Sequence, residues 1–261
     1  MLGVGSGAGV FDHRQFDVAA LASARGGRRV SVCLPARDEE ATVGAIVAEV
    51  RAACTAAGGG ADLVDEVVVV DDGSTDDTAA RSRAAGARVV RSGTRGGGKG
   101  QAMAVAVAES RGDLLVFLDA DVEGFRSHFV VGLLGPLLLD DDLAMVKGFY
   151  RRPLHGSPSG GGRVTELVAR PVIDLLFPEL AFVRQPLAGE TAVRREVVDK
   201  TGVAPGYGAE LGLLVDVARE FGIHAIAEVD LGERVHRNRP LAELRVHATD
   251  VLRAALARAA H

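Results

Sequence analysis

The sequence predicts an α/β protein: an open, doubly wound, mostly parallel sheet, followed by a smaller and less regular C-terminal part. Three observations carry this. Apolar or β-branched runs alternate with segments of helical spacing, in four β-α repeats over about 90 residues. Runs such as 67–70 and 114–118 are apolar throughout, as strands buried on both faces of a parallel sheet are. Polar clusters fall where the runs end, and ligands of such sheets sit beyond the carboxyl ends of strands. Parallel neighbours need crossovers, and the helical segments supply them.

Residues 1–28 are rich in Gly, Ala and Ser, close on Arg25-Gly-Gly-Arg28-Arg29, and read as a loose tail or a short leading helix. A strand over 30–34 ends at Pro35. Val43, Ile46, Val47 and Val50 follow i, i+3, i+4, i+7, a helix behind an acidic first turn at Asp38, Glu39 and Glu40. Gly58-Gly-Gly60 is a linker to the strand at 67–70. Ser74, with Asp77 three residues on, is an N-cap for a helix that Gly86 closes. A short strand at 89–90, a helix over 99–111 ended by Gly112 and a buried strand at 114–118 complete the α/β part, 29–125. The second part of the same domain, 126–261, holds a Gly/Ser/Pro loop at 155–162 and helical patterns over 163–177 and 207–221. A strand over 225–229 and a terminal helix over 241–260 follow.

Composition narrows the function. The chain has 261 residues, 48% hydrophobic and 25% charged, which excludes collagen, a disulfide scaffold or a disordered chain and suits one large domain or two joined small ones. The longest apolar run, 129–139, is broken by Gly132, Gly135 and Pro136 and falls short of the ~20 residues of a membrane span. No basic segment followed by an apolar one marks a signal peptide, so a cytoplasmic protein without membrane insertion is expected. Cys33 and Cys54 have no metal-ligand spacing, and Cys33 reads as core filling. Thirty basic against 35 acidic residues and 4% aromatics give no footing for nucleic acid. Only Lys99, Lys147 and Lys200 of the basic residues are lysines.

Three motifs carry chemistry. In Leu114-Leu-Val-Phe-Leu-Asp119-Ala-Asp121 a buried strand runs into two carboxylates one residue apart, which the strand period can point the same way. Hard oxygen donors suit Mg²⁺ or Mn²⁺ bridging to a diphosphate; the plain alternative is a pair of turn or cap aspartates. Val67-Val-Val-Val-Asp71-Asp72-Gly-Ser74-Thr-Asp76 is a strand, a tight turn and a helix start. Gly96-Gly-Gly-Lys99-Gly100 offers backbone N–H groups and one cation at a helix N-terminus, an arrangement for anions, without the spacing of a P-loop.

Together these segments resemble nucleotide-sugar glycosyltransferases of the Rossmann-like GT-A fold. Five downstream runs narrow the resemblance: Val146-Lys-Gly-Phe-Tyr-Arg-Arg-Pro153, Gly160-Gly-Gly-Arg163-Val-Thr165-Glu-Leu-Val-Ala-Arg-Pro171, Gln185-Pro-Leu187-Ala-Gly-Glu190, Pro205-Gly-Tyr207-Gly-Ala-Glu210 and Arg234-Val-His236-Arg-Asn238-Arg-Pro240. Over about 30–250 the chain is similar to the glucosyl-3-phosphoglycerate synthase family. That resemblance implies a retaining, Mg²⁺-dependent transfer (Mn²⁺ being a substitute) from UDP-glucose to 3-phosphoglycerate, by a homodimer, feeding glucosylglycerate synthesis. It implies that Pro35, Ala36, Arg37, Glu39, Asp72, Lys99, Asp119, Ala120, Tyr207 and Glu210 meet the nucleotide sugar. Asp119, Asp121 and His236 would hold the metal, and Gly162, Arg163, Thr165 and Asn238 the phosphoglycerate. Leu187, through its carbonyl, with Glu210 and Asp121 would serve catalysis, and Glu190 and Glu210 are the carboxylates to test as nucleophiles. Same-face attack is the favoured route.

Departures are few. Asp38 stands where the family has Asn, and Asp72 where it commonly has Ser, an unfavourable charge beside UDP unless turned to solvent. The 91–98 loop and the stretch after Asp121 are short, and with the sequence ending soon after Ala260 no long C-terminal dimerisation tail is expected. Three rivals stand beside this reading: a GDP-mannose donor for the same acceptor, a polyprenyl-phosphate sugar transferase, and a non-catalytic nucleotide-sugar-binding paralogue. The second lacks a basic amphipathic helix to face a membrane, and the third would be expected to have lost Asp121, His236 or Arg163.

Overall fold

The apolar runs become the centre of one eight-stranded sheet. The computed structural model describes residues 9–55, 62–93, 97–151, 162–234 and 241–260. Its strands are β1 (Gly9–Asp12), β2 (Val30–Ala36), β3 (Glu66–Asp71), β4 (Arg88–Arg91), β5 (Leu114–Phe117), β6 (Met145–Arg151), β7 (Thr191–Arg194) and β8 (Ile226–Glu233), in the order β1-β8-β6-β7-β5-β2-β3-β4. All neighbours are parallel except β7, which runs antiparallel between β5 and β6. The expected mostly parallel sheet is therefore present, with one reversed strand in its middle.

Alternation along the strands splits the core in two. Val32, Leu34, Val67, Val69, Leu114 and Val116 face one side, under helices α1 (Val18–Ala24), α2 (Val43–Cys54) and α5 (His128–Leu139). Cys33, Val68, Val70, Leu115 and Phe117 face the other, under α4 (Lys99–Glu109), α6 (Arg170–Leu176), α7 (Arg195–Thr201), α8 (Ala209–Phe221) and α9 (Leu241–Ala259). A strand with period-two side chains and apolar residues at every position can only be satisfied by cover on both faces.

Several boundaries differ from the sequence reading, each for a local reason. Strand β2 continues through Pro35 to Ala36, because pairing with β5 ends at Cys33 and the missing N–H is not needed there. Helix α3 (Thr78–Ala84) starts four residues after Ser74, whose hydroxyl instead accepts from the Asp38 N–H, so Ser74 is not its N-cap. The acidic trio 38–40 precedes α2 rather than forming its first turn, which begins behind Thr42. The helix expected over 163–177 is interrupted by a π turn, Thr165–Ala169. Pro171 lacks an N–H, and the Arg170 N–H reaches back to Thr165, which absorbs the gap.

The largest difference lies at the N-terminus. Of the residues read as a loose tail or short leading helix, 9–12 form an edge strand paired with β8 and 18–24 form α1. The neighbouring apolar run 129–139, interrupted by glycine and proline, is α5, buried along most of its length. The interruptions explain each other. A Cβ at Gly132 would lie 2.9 Å from that of His13, and one at Gly135 would lie 2.4 Å from the Phe16 ring. The small residues let segment 13–16 lie against α5, so this helix is covered by sheet on one side and by chain on the other.

Helix α4 packs equally close at its start. A Cβ at Gly100 would fall 2.0 Å from the Ala204 carbonyl oxygen, a backbone atom that cannot swing away. Gly100→Ala is therefore expected to cost about 1–3 kcal/mol in urea unfolding, as overpacking does, with an unchanged dependence on denaturant. A midpoint equal to wild type would contradict this contact.

Candidate active site

The carboxyl ends of β2, β3 and β5 open into one cleft of about 480 Å³. From β2 come Pro35 and Ala36, and from the loop after it Arg37 and Glu39. Asp72 follows β3, Lys99 starts α4, and Asp119, Ala120 and Asp121 follow β5. The opposite wall is Gly162, Arg163 and Thr165 at the π turn, Leu187 on the loop before β7, and Tyr207 and Glu210 at the start of α8. These residues are scattered over 176 positions, from 35 to 210, and the fold brings them to one surface. His236 and Asn238 lie outside the described residues, as do Gly96 and most of the 155–162 loop.

The cleft is built around a chain of alternating charges. Lys99 Nζ lies 2.5 Å from Asp119 Oδ1 and 2.5 Å from Glu210 Oε1. Arg234, just past β8, spreads its fork across both aspartates: Nη1 is 2.8 Å from Asp119 Oδ2 and Nη2 2.7 Å from Asp121 Oδ1. The same Nη1 lies 2.8 Å from Glu190 Oε1 and 2.6 Å from the Tyr150 hydroxyl, which donates to Glu190 Oε2 at 3.0 Å. Burial opposes charge on Lys99, Asp119, Arg234 and Glu190, but the partners win at the first three. Asp119 is held well below the ordinary carboxylate range by Lys99 and Arg234. Lys99 is held above its ordinary value by Asp119 and Glu210, and Arg234 likewise by Glu190, Tyr150, Asp119 and Asp121. At Glu190 burial prevails over Arg234 and raises the carboxyl.

This geometry corrects two readings. Glu190 is fully buried, does not line the cleft, and has both oxygens engaged, so it is no candidate nucleophile; Glu210 stays at the cleft wall. The glycine loop was expected to turn its N–H groups to an anion, yet those of Gly97 and Gly98 donate to Asp72, at 3.2 and 3.0 Å. Asp72 is buried rather than turned to solvent, and these two amides with the Ser92 hydroxyl, at 2.7 Å, satisfy its charge. Asp38, the other unexpected carboxylate, sits at φ +54°, a conformation that Asn and Asp tolerate, and accepts from the Thr75 N–H at 2.7 Å. It does not line the cleft.

Asp119 and Asp121 converge on one cation already, the Arg234 guanidinium. Asp121 keeps its second oxygen without a bond among the described residues, and no group of three or more His, Cys, Asp or Glu there could enclose a metal. A pair of hard carboxylates without a full protein cage suits an ion that keeps water and takes its remaining ligands from a phosphate.

Sequence reasoning missed Arg234, Tyr150, His247 and Asp250. Arg234 stood beside His236 in a quoted run, but one arginine among so many carries no signal. His247 and Asp250 come from α9, where the His247 ring stacks on Tyr207 at 3.5 Å and Asp250 accepts from the Tyr207 N–H at 3.2 Å. Nothing in helical spacing marks either.

Comparison with known proteins gives the family. Residues 31–151 match the model for glycosyl transferase family 2. A glucosyl-3-phosphoglycerate synthase of Mycolicibacterium paratuberculosis is 47% identical over 254 residues, covering 92% of this chain and 75% of that one. The chain belongs to the glucosyl-3-phosphoglycerate synthase family. The Mycobacterium tuberculosis member, in complex with Mn²⁺, UDP-glucose and phosphoglyceric acid, superimposes with a TM-score of 0.86 at 42% identity, covering 97% of this chain and 88% of that one. The same protein with Mg²⁺ and UDP gives 0.87, again at 42% identity, over 97% and 87%. The family's fold is thus the GT-A arrangement expected from the motifs, and its members are enzymes.

The depressed Asp119 carboxyl has a measurable consequence. As pH falls, the unfolded chain takes up this proton near 3.8 and the folded chain only at lower pH. The stability it contributes is complete above that value and is lost as pH falls through the folded one. Urea midpoints of wild type should drop steeply below about pH 4, and those of Asp119→Asn less steeply. Parallel acid limbs in the two proteins would show that Asp119 is not held ionised by its neighbours.

Proposed function

We propose that the protein transfers glucose from UDP-glucose to 3-phosphoglycerate with retention of configuration, releasing UDP. The observation that carries this is the single cleft that joins the aspartate pair after β5 and Lys99 to an arginine-bearing helix start on the facing wall. One side suits a nucleotide diphosphate with its ion, the other a small, highly charged anion. The relatives' names and the ligands bound by the tuberculosis protein support the same pair of substrates.

The roles follow from chemistry. Pro35, Ala36, Arg37 and Glu39 flank the uridine, with Asp72 ordering the glycine loop beside it. Asp119 and Asp121, with His236, hold Mg²⁺ or Mn²⁺, which neutralises charge on the departing diphosphate. Lys99, kept protonated by Asp119 and Glu210, adds a fixed positive charge where that diphosphate leaves. Tyr207 and Glu210 face the glucose. Gly162, Arg163, Thr165 and Asn238 take the acceptor, with Arg163 able to grip phosphate or carboxylate through two parallel bonds. With Glu190 engaged elsewhere, same-face attack beside the leaving group, steadied by the Leu187 carbonyl, is favoured over a covalent intermediate. The protein's contribution is then chiefly the placement of two substrates.

We also place the enzyme in the cytoplasm as a homodimer. No helix among the described residues is long and apolar enough to cross a membrane. The π turn and α6, both packed against α9, expose leucines, as α9 itself does, with Leu167 at 72%, Leu175 at 80% and Leu256 at 61% exposure. A self-complementary apolar patch is what a two-fold interface requires.

UDP release from UDP-glucose and Mg²⁺ should depend on added 3-phosphoglycerate. Asp121→Ala should abolish it while the protein remains folded, and Arg163→Ala should chiefly raise the KM for phosphoglycerate. Full activity of the first variant would remove the metal role, and a shift confined to the donor KM in the second would move the acceptor site elsewhere. For assembly, light scattering should give a dimer for wild type and a monomer for Leu167→Asp/Leu175→Asp. A monomeric wild type, or a dimer that survives both changes, would refute the interface.

A further inference from the structure

Lys147 is fully buried on β6, and nothing in the proposed chemistry uses it. Its sheet neighbours are Thr191 on β7 and Glu228 on β8. Among the described residues no carboxylate pairs with it: Glu228 is taken by Arg184, at 2.7 Å. The ammonium instead donates to the Ala188 carbonyl at 2.6 Å and to the Thr191 hydroxyl at 3.0 Å. Burial pushes it down to about 8, with Glu210, Glu190 and Asp119 favouring its charge and Lys99 opposing it. Burying an ammonium without a carboxylate partner is costly, and an apolar side chain of the same length would fill the space without that cost. Packing therefore does not explain the lysine.

Its partner does. Ala188 belongs to the turn 185–190, which β6 holds at three points. Gln185 Nε2 donates to the Tyr150 carbonyl at 2.6 Å, the Gly148 N–H donates to the Glu190 carbonyl at 2.9 Å, and Lys147 grips the turn between them. The far side of the turn faces the cleft. Leu187 lines it, and Gly189 lies so close to the central ion pair that a Cβ there would be 2.0 Å from Asp119 Oδ1 and 2.7 Å from Lys99 Nζ. Any slack in the turn is thus transmitted to Leu187, Asp119 and Lys99 at once.

We propose that Lys147 is a positioning residue for the transfer step: from beneath the turn 185–190, its bond to the Ala188 carbonyl sets where Leu187 and Gly189 stand against the substrates and the Lys99–Asp119 pair. It touches neither substrate. Within the turn the Ala188 N–H donates to the Gln185 carbonyl at 3.0 Å, and the Thr191 hydroxyl reaches the Ala188 carbonyl only at 3.5 Å, so the short contact that holds this carbonyl from below is the one from Lys147. The kinetic part of the test rests on the function proposed above; the structural part does not.

The test compares wild type, Lys147→Met and Lys147→Gln by hydrogen–deuterium exchange and steady-state kinetics. In Lys147→Met, exchange should quicken over 185–191 while the rest of the sheet keeps its protection. The kcat should fall about 10- to 100-fold, the scale of a lost bond from a charged donor, with the KM for UDP-glucose held within about twofold. Lys147→Gln, which restores a donor without the charge, should recover part of both. Unchanged exchange over 185–191 together with wild-type kcat overturns the proposal. So does a loss of protection spread evenly over the molecule with kcat per folded enzyme unchanged, the behaviour of a residue that serves stability alone. Should Lys147→Met not fold, Lys147→Gln is judged by the same two measurements. A wild type without phosphoglycerate-dependent UDP release would refute the functional reading, and the exchange result would still decide the positioning role.

Discussion

The site depends on keeping charge in a place that water barely reaches. Asp119 stands between two cations, Lys99 from α4 and Arg234 from the end of β8, and each cation is shared with a second carboxylate, Glu210 or Glu190. Burial opposes the charge on Lys99, Asp119 and Arg234, and their mutual contacts outweigh it. The network therefore ties together α4, β5, β7, β8 and α8, and the cleft has its shape only when all five are docked. A reversed strand, β7, makes this possible: lying between β5 and β6, it delivers the 185–190 turn to the same sheet end as the aspartates.

The same interactions also satisfy the charges that line the cleft. Lys99 is paired with Asp119 and Glu210, and Arg234 is spread over the aspartate pair. Asp72 plays the corresponding part for the glycine loop by accepting its N–H groups. Such arrangements pre-organise donors and acceptors at no reorganisation cost beyond exchanging one partner for another. Beneath them, β6 presents Lys147, Gly148 and Tyr150 to the turn that carries Leu187, so the sheet itself is the template for the catalytic wall.

Much of this was legible in one dimension. Strands β2, β3 and β5 declared themselves by unbroken apolar runs, and α2 by its valine and isoleucine spacing, since period and burial are linked by backbone geometry alone. The aspartate pair after β5 was marked by its residue type and spacing and Arg163 by the family resemblance, and the fold places both on one cleft. The edge strand β1, the short β7 and helix α5 were not legible. Strands β1 and β7 lack the unbroken apolar run that marked β5, and the glycines inside α5 make sense only beside His13 and Phe16.

By itself, then, the sequence determined the sheet's centre, the end of it where the cleft lies, and the family, because each rests on local patterning or on contiguous motifs. Tertiary structure alone decided the partners. It placed Glu190 out of reach as a nucleophile, turned Asp72 toward the glycine loop, and brought Arg234, Tyr207 and the α9 residues His247 and Asp250 into the cleft. The physical reason is that an ionised group's role is set by which charges lie within a few ångströms of it. Those neighbours come from separate elements, 20 residues apart for Lys99 and Asp119 and 115 for Asp119 and Arg234.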